Sequence, residues 1–209
     1  LPAQPMNRSV RPPFFFRLFD PEHLVCRMPT GEKNIWLTFD DGPVPEVTPE
    51  VLRILESFHA KATFFMVGDN IRKHRDVYEQ VVAGGHSIGN HTFHHLNGWK
   101  TPPAQYAEDV MRFAEYNATN LFRPPHGRFT PSQYMILRKR FRFVLWSLLT
   151  WDFSTNMTPE KCLDTAVKFT RPGDIVVFHD SLKAMDNMLY ALPRYLEFLS
   201  GQNYSFGLL

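Results

Sequence analysis

Only two cysteines, Cys26 and Cys162, occur in 209 residues. They lie far apart, in neither a Cys-x-x-Cys pair nor a metal-knuckle spacing. No disulfide framework or thiolate site is implied, and two buried free thiols are the expected reading. Charge of one sign is lacking as well: Lys and Arg total 23 against 21 Asp and Glu. Without a basic field, nucleic acid is not expected as a partner. No apolar run approaches the ~20 residues that cross a bilayer, so no transmembrane segment is expected. The N-terminus has no charged stretch followed by an apolar one, so no signal peptide is visible. Residues 1–5 precede Met6 and read as an appended remnant or as the cut end of a longer precursor. Unless a precursor segment has been removed, the expectation is a cytoplasmic protein. Linkers, repeats and low-complexity tracts are missing too, and the length fits a single core. Nothing in the pattern sets an oligomeric state.

What is present reads as alternating strands and helices. Apolar runs at 34–39, 62–67, 86–88, 120–122, 141–146 and 174–178 are separated by helix-like segments, the pattern of β/α units. Thr48-Pro49-Glu50 and Thr158-Pro159-Glu160 each place a threonine cap before a proline at the first helical position. Further helices are expected over 70–83, 103–116, 131–140 and 185–199, the last bent or interrupted at Pro193. Residues 204–209 offer a closing strand. Strands covered by helices give an α/β fold, and spacing alone leaves a parallel barrel and an open sheet both standing. The first 32 residues, with Pro12-Pro13 and Phe14-Phe15-Phe16, are expected to form an arm packed on a domain spanning 33–209.

Polar residues gather where strands end, which is where β/α folds carry their sites. The 34–39 run leads into Asp40-Asp41-Gly42-Pro43. Adjacent residues on an extended chain point to opposite sides, so the two carboxylates need a turn to share a task; one suits metal binding, the other proton transfer. His91, His94 and His95 lie within five residues. The four-residue offset between His91 and His95 brings them to one face if a helical turn forms, and two imidazoles plus one carboxylate leave coordination places open for reactants. Arg123-Pro124-Pro125-His126-Gly127 is a stiff loop that presents an arginine to a carboxylate and a backbone N–H to an oxyanion. The run 174–178 delivers His179 to the same rim, suited to protonating a leaving amine if a carboxylate such as Asp152 keeps it charged. Trp99 and Trp151 read either as exposed rings able to stack on a ligand or as core, with core preferred.

Taken together, these residues resemble the NodB homology domain of the family four carbohydrate esterases, over about 33–209. Thr38-Phe39-Asp40-Asp41-Gly42 matches the first motif, and His91-Thr92-Phe93-His94-His95 matches the His-Ser/Thr-x-x-His motif. The resemblance implies a distorted (β/α) barrel of six or seven strands and a polysaccharide deacetylase. It implies Asp40 as general base, Asp41, His91 and His95 as ligands of one divalent metal, and His94 outside that set. Zinc is the first candidate, with cobalt or nickel as alternatives. Arg123 would steer Asp40, and His179 would act as general acid tuned by Asp152. Pro124, His126, Phe153 and Val177 would contact an acetylated glycan substrate, Val177 holding the hydrophobic place of the Leu-x-His motif. His126 stands where tyrosine is usual, Leu149 where aspartate is common, and Phe153 where tryptophan is typical. The implied reaction is removal of N-acetyl groups from N-acetylglucosamine-type units of peptidoglycan, a chitooligosaccharide or a related polymer. The alternatives are an O-acetyl xylan esterase and a glycan-binding protein weakened in turnover.

Overall fold

The computed structural model describes residues 10–11 and 20–209. The Phe14–Phe16 run expected in an N-terminal arm lies outside these residues. Among them, nine strands form the sheet: β1 (Leu24–Val25), β2 (Asn34–Asp40), β3 (Thr63–Met66), β4 (Ser87–Asn90), β5 (Leu121–Phe122), β6 (Arg142–Val144), β7 (Leu148–Leu149), β8 (Ile175–His179) and β9 (Ser205–Phe206). Their order is β1-β6-β5-β4-β3-β2-β8-β7, with β9 beside β2, and every strand pair is parallel. The helices are α1 (Thr48–Ser57), α2 (Gly68–Lys73), α3 (Arg75–Ala83), α4 (Pro103–Arg112), α5 (Pro131–Leu137), α6 (Pro159–Phe169) and α7 (Met185–Gly201).

β6 and β7 are two stretches of one chain segment. β6 pairs with β5, the chain passes through 145–147, and β7 then pairs with β8. Pairing therefore runs from β2 through β3, β4, β5 and β6 to β7, β8 and back to β2. The sheet curls into a distorted barrel whose wall is broken once, within 145–147. Two strands beyond the expected set, β1 and β7, are only two residues long and carry little sequence signal.

The two faces of β2 sort by alternation. Ile35, Leu37 and Phe39 join the cluster packed under the helices, while Trp36 joins Val25, Phe65, Leu121, Val144 and Ile175, one residue from each of six strands, inside the barrel. Asp40 shares Trp36's side and arrives at the carboxyl end of the strands. Both cysteines are buried.

Three local expectations are corrected. Thr48 does not cap α1; it is the first helical residue, and its hydroxyl donates instead to Asp180 Oδ2 at 2.7 Å. Thr158 does cap α6, accepting from the Lys161 N–H. The helix expected over 70–83 is two helices that meet at His74. Pro193 does not interrupt α7, which runs 17 residues through it. An interior proline costs ~3 kcal/mol or more, whereas each buried apolar side chain contributes ~1.5–3 kcal/mol. α7 buries Met188, Ala191, Leu192, Tyr195, Leu196 and Leu199 on one face, enough to hold the helix through its missing hydrogen bond.

Candidate active site

At the carboxyl ends of the strands lies a pocket of about 700 Å³ whose lining includes Asp40, Asp41, His91, His95, His126 and His179. The two aspartates reach different tasks because Asp41 adopts φ 84°. That left-handed turn, tolerated by aspartate better than by most residues, swings its carboxylate away from the direction Asp40 takes. Its backbone is held by the Asn70 amide, which donates to Asp41 O at 2.8 Å, and by the Val67 N–H, which donates to Gly42 O.

Asp40 is buried and meets Arg123, whose Nη1 donates to Oδ1 at 2.6 Å. Arg123 is fully buried. The same guanidinium donates to Thr38 Oγ1, Val144 O and Leu145 O, and its carbon lies 4.1 Å from the Phe65 ring centre. Its charge is paired and four of its five N–H groups are engaged, the conditions under which a buried cation is tolerated.

The histidine segment does not use a helical turn. Residues 91–95 form a bent loop in which Thr92 has φ 65° and His95 φ 55°. His91 Nδ1 lies 2.7 Å from Arg123 O. A carbonyl can only accept, so Nδ1 carries the proton and Nε2 keeps its lone pair. Burial lowers the His91 pKa to about 4, which keeps the ring neutral near neutrality. His91 Nε2 and His95 Nε2 stand 3.7 and 3.2 Å from Asp41 Oδ1. Burial acts to raise the Asp41 pKa, yet the His95 hydrogen bond and the charges of His179, His91 and His95 override it and hold the carboxyl below its ordinary range. All three ligand atoms lie within 4.8 Å of one another. Two neutral-capable nitrogens and one carboxylate oxygen, one imidazole oriented by a carbonyl, fit a divalent cation with places left for reactants.

On the other wall, His179 Nδ1 lies 2.8 Å from Asp152 Oδ1, and the His179 N–H donates to Asp152 Oδ2 at 2.7 Å. Burial alone would push His179 down. The Asp152 charge and hydrogen bond, with Asp41 and Asp40 adding to them, carry it up to about 9. His179 is therefore cationic at neutral pH. Phe153 meets its ring edge-on at 4.6 Å between centres, and Pro124, Leu149, Phe153 and Val177 line the pocket. His126 is exposed, has φ 60°, and packs its ring edge-on to His95 at 4.9 Å. Every residue singled out for a role thus lies in or against this pocket. The core reading of Trp99 does not hold, because its side chain is 66% exposed. Trp151 is partly buried and lines the pocket.

Two carboxylates were missed. Asp109 on α4 accepts from the N–H groups of Phe93 and His94 and meets His94 Nδ1, pinning the loop that carries His91 and His95 while holding His94 aside. Asp180 accepts from the Gly42 N–H at 3.0 Å and from the Thr48 hydroxyl, tying the Asp40-Asp41 turn to β8. Burial pushes its carboxyl up to about 8, the Asp41 charge adding to a rise that the two hydrogen bonds oppose. Asp180 follows His179 directly, so adjacency to a strand-end histidine was its only sequence signal. Asp109 had none.

The family model described as polysaccharide deacetylase matches residues 27–139, more than half of the chain. The chain belongs to the polysaccharide deacetylase family. Over 194 residues this deacetylase is 34% identical to a peptidoglycan-N-acetylglucosamine deacetylase of Bacillus cereus, covering 88% of this chain and 90% of that one. It superposes with TM-score 0.78 and 28% identity on a peptidoglycan N-acetylglucosamine deacetylase solved with 4-naphthalen-1-yl-N-oxidanyl-benzamide, over 88% of this chain and 89% of the other. It also superposes, with TM-score 0.79 and 25% identity over 88% of this chain and 69% of the other, on a mutant of the Bacillus anthracis protein BA3943, a CE4 family pseudoenzyme with restored enzymatic activity.

Proposed function

We propose that this deacetylase hydrolyses the acetamide of N-acetylglucosamine-type units in a glycan such as peptidoglycan or a chitooligosaccharide, releasing acetate and a free amino sugar. The observation that carries the reading is a single pocket joining the Asp41, His91 and His95 cluster to a carboxylate held by Arg123 and a histidine held cationic by Asp152. The names of the relatives point the same way.

Asp41, His91 and His95 would hold one divalent cation, zinc in the first instance and cobalt or nickel as alternatives. Bound there, it supplies Lewis-acid polarisation and lowers the pKa of a water from ~15.7 toward ~7. Asp40 takes a proton from the attacking water. Arg123 fixes one of its oxygens, and among the described residues the other has no hydrogen-bond partner, leaving it open to that proton. His179 donates to the departing nitrogen through Nε2, since Nδ1 is committed to Asp152. The His126 N–H serves the oxyanion, so tyrosine's replacement by histidine leaves that donor in place. Phe153, Leu149, Val177 and Pro124 give the acetyl methyl an apolar wall.

Asp40→Asn tests the assignment. In zinc-loaded protein, acetate release from chitooligosaccharide or peptidoglycan fragments is expected to fall on the order of 10²-fold or more. An unchanged rate removes Asp40 as base. Faster release from acetylxylan than from either N-acetylated glycan would replace the amide by an ester as substrate.

A further inference from the structure

Among the described residues, Trp99 is the most exposed of the large apolar side chains, at 66%. Its turn, Gly98–Lys100, is firmly held. The Asn97 side chain accepts from the Trp99 N–H, and the Gln133 amide donates to Gly98 O and Thr101 O, both at 2.9 Å. Gly98 packs so closely that a Cβ there would stand 2.3 Å from Arg128 O. Holding a large indole in water on a rigid turn forgoes the stabilisation its burial would bring, which makes the position notable.

The Arg128 guanidinium lies 4.8 Å from the centre of the Trp99 ring, and Arg128 also lines the catalytic pocket. Of the pocket's other charges, Asp40 pairs with Arg123, Asp41 faces the imidazoles, His179 pairs with Asp152 and Arg11 with Asp174 at 3.1 Å, while Lys183 lies over the Phe153 ring, 5.8 Å from its centre and away from Trp99's turn. Arg128 has no ion-pair partner among the described residues, so its charge stands unmatched at the lip.

We propose that Trp99 and Arg128 form a sugar subsite beside the catalytic pocket, which takes a pyranose unit carrying a carboxylate at a distance along the chain from the N-acetyl group being hydrolysed. The indole offers an apolar plane to the C–H face of the ring, and the neighbouring guanidinium, 4.8 Å from the indole centre, pairs with the carboxylate. The preferred substrate is then an acidic N-acetylated glycan. This rests on the deacetylase reading and narrows it.

The test uses zinc-loaded protein with three β-1,4 hexasaccharides: neutral chitohexaose, chitohexaose carrying carboxylates at alternate C6 positions, and alternating N-acetylglucosamine and N-acetylmuramic acid. Trp99→Ala is expected to raise KM about five-fold for all three at unchanged kcat, and to leave KM for the short disaccharide chitobiose, which does not reach the subsite, unaffected. Arg128→Gln is expected to raise KM about three- to ten-fold for the carboxylated hexamers alone. A response to only one of them identifies the source of the carboxylate. Unchanged hexamer KM in Trp99→Ala overturns the subsite, and an equal effect of Arg128→Gln on neutral and acidic hexamers overturns carboxylate recognition. Calorimetric titration of the same hexamers into metal-free wild type and Trp99→Ala separates the two readings. Binding weakened by the substitution, with no acetate released by the wild type from any hexamer, would leave the subsite standing and end the deacetylase reading.

Discussion

His179 and Asp152 show how one contact sets a protonation state. Burial opposes the charge on His179, and the Asp152 carboxylate, with smaller contributions from Asp41 and Asp40, reverses that, to about 9. The sign for catalysis follows. A general acid must be protonated, so activity that depends on it persists below that value and declines as pH rises through it. The contribution to stability has the same sense, being present below histidine's ordinary range and lost as pH rises through about 9. Asp152→Asn removes the supporting charge and leaves burial to dominate. Its pH–rate profile is expected to show an alkaline limb moved to lower pH, with the rate at pH 8 reduced about ten-fold or more. An unmoved limb would show that Asp152 does not tune the acid. Asp40, His179 and Asp152 were legible because each ends or follows an apolar run, where β/α proteins place reactive groups. Asp109 was not, since it lies in a helix and acts only on a loop 15 or 16 residues earlier in the chain.

Among the elements, the loop after β4 departs most from its sequence reading. The spacing of His91 and His95 invited a helical turn, yet two left-handed residues, Thr92 and His95, bring the imidazoles together. Such backbone persists when its surroundings over-determine it. Asp109 supplies that constraint through three contacts. Asp109→Asn is therefore expected to weaken zinc binding, measured by calorimetry, about 10–100-fold while circular dichroism stays native. Affinity equal to wild type would remove Asp109 from this role. The start of α1 was misread for a related reason. A threonine before proline favours a cap, but no local pattern reveals that Asp180, 132 residues away, takes the Thr48 hydroxyl.

For the whole molecule, the alternating pattern gave the class and the strand ends, while the closing of the sheet through a broken strand depends on pairings between distant segments that periodicity does not encode. Because Asp41 and the two histidines come from the turn after β2 and from the loop after β4, a cation there cross-links separate parts of the barrel. Binding to the folded state alone at 100 times Kd stabilises by ~2.7 kcal/mol, or about 5–10 °C in Tm for a chain of this size. Thermal unfolding with zinc against chelator should show that rise; coincident curves would argue against the cation site.

Arg123 joins two matters usually separate. Its Nε and Nη2 hold Val144 and Leu145 where the wall is interrupted, while its Nη1 holds the proposed base. One side chain is both the rivet of the cylinder and the bracket of the reaction. Lysine, with a single ammonium, cannot occupy both positions, so loosening the wall and misplacing the base should come as one event.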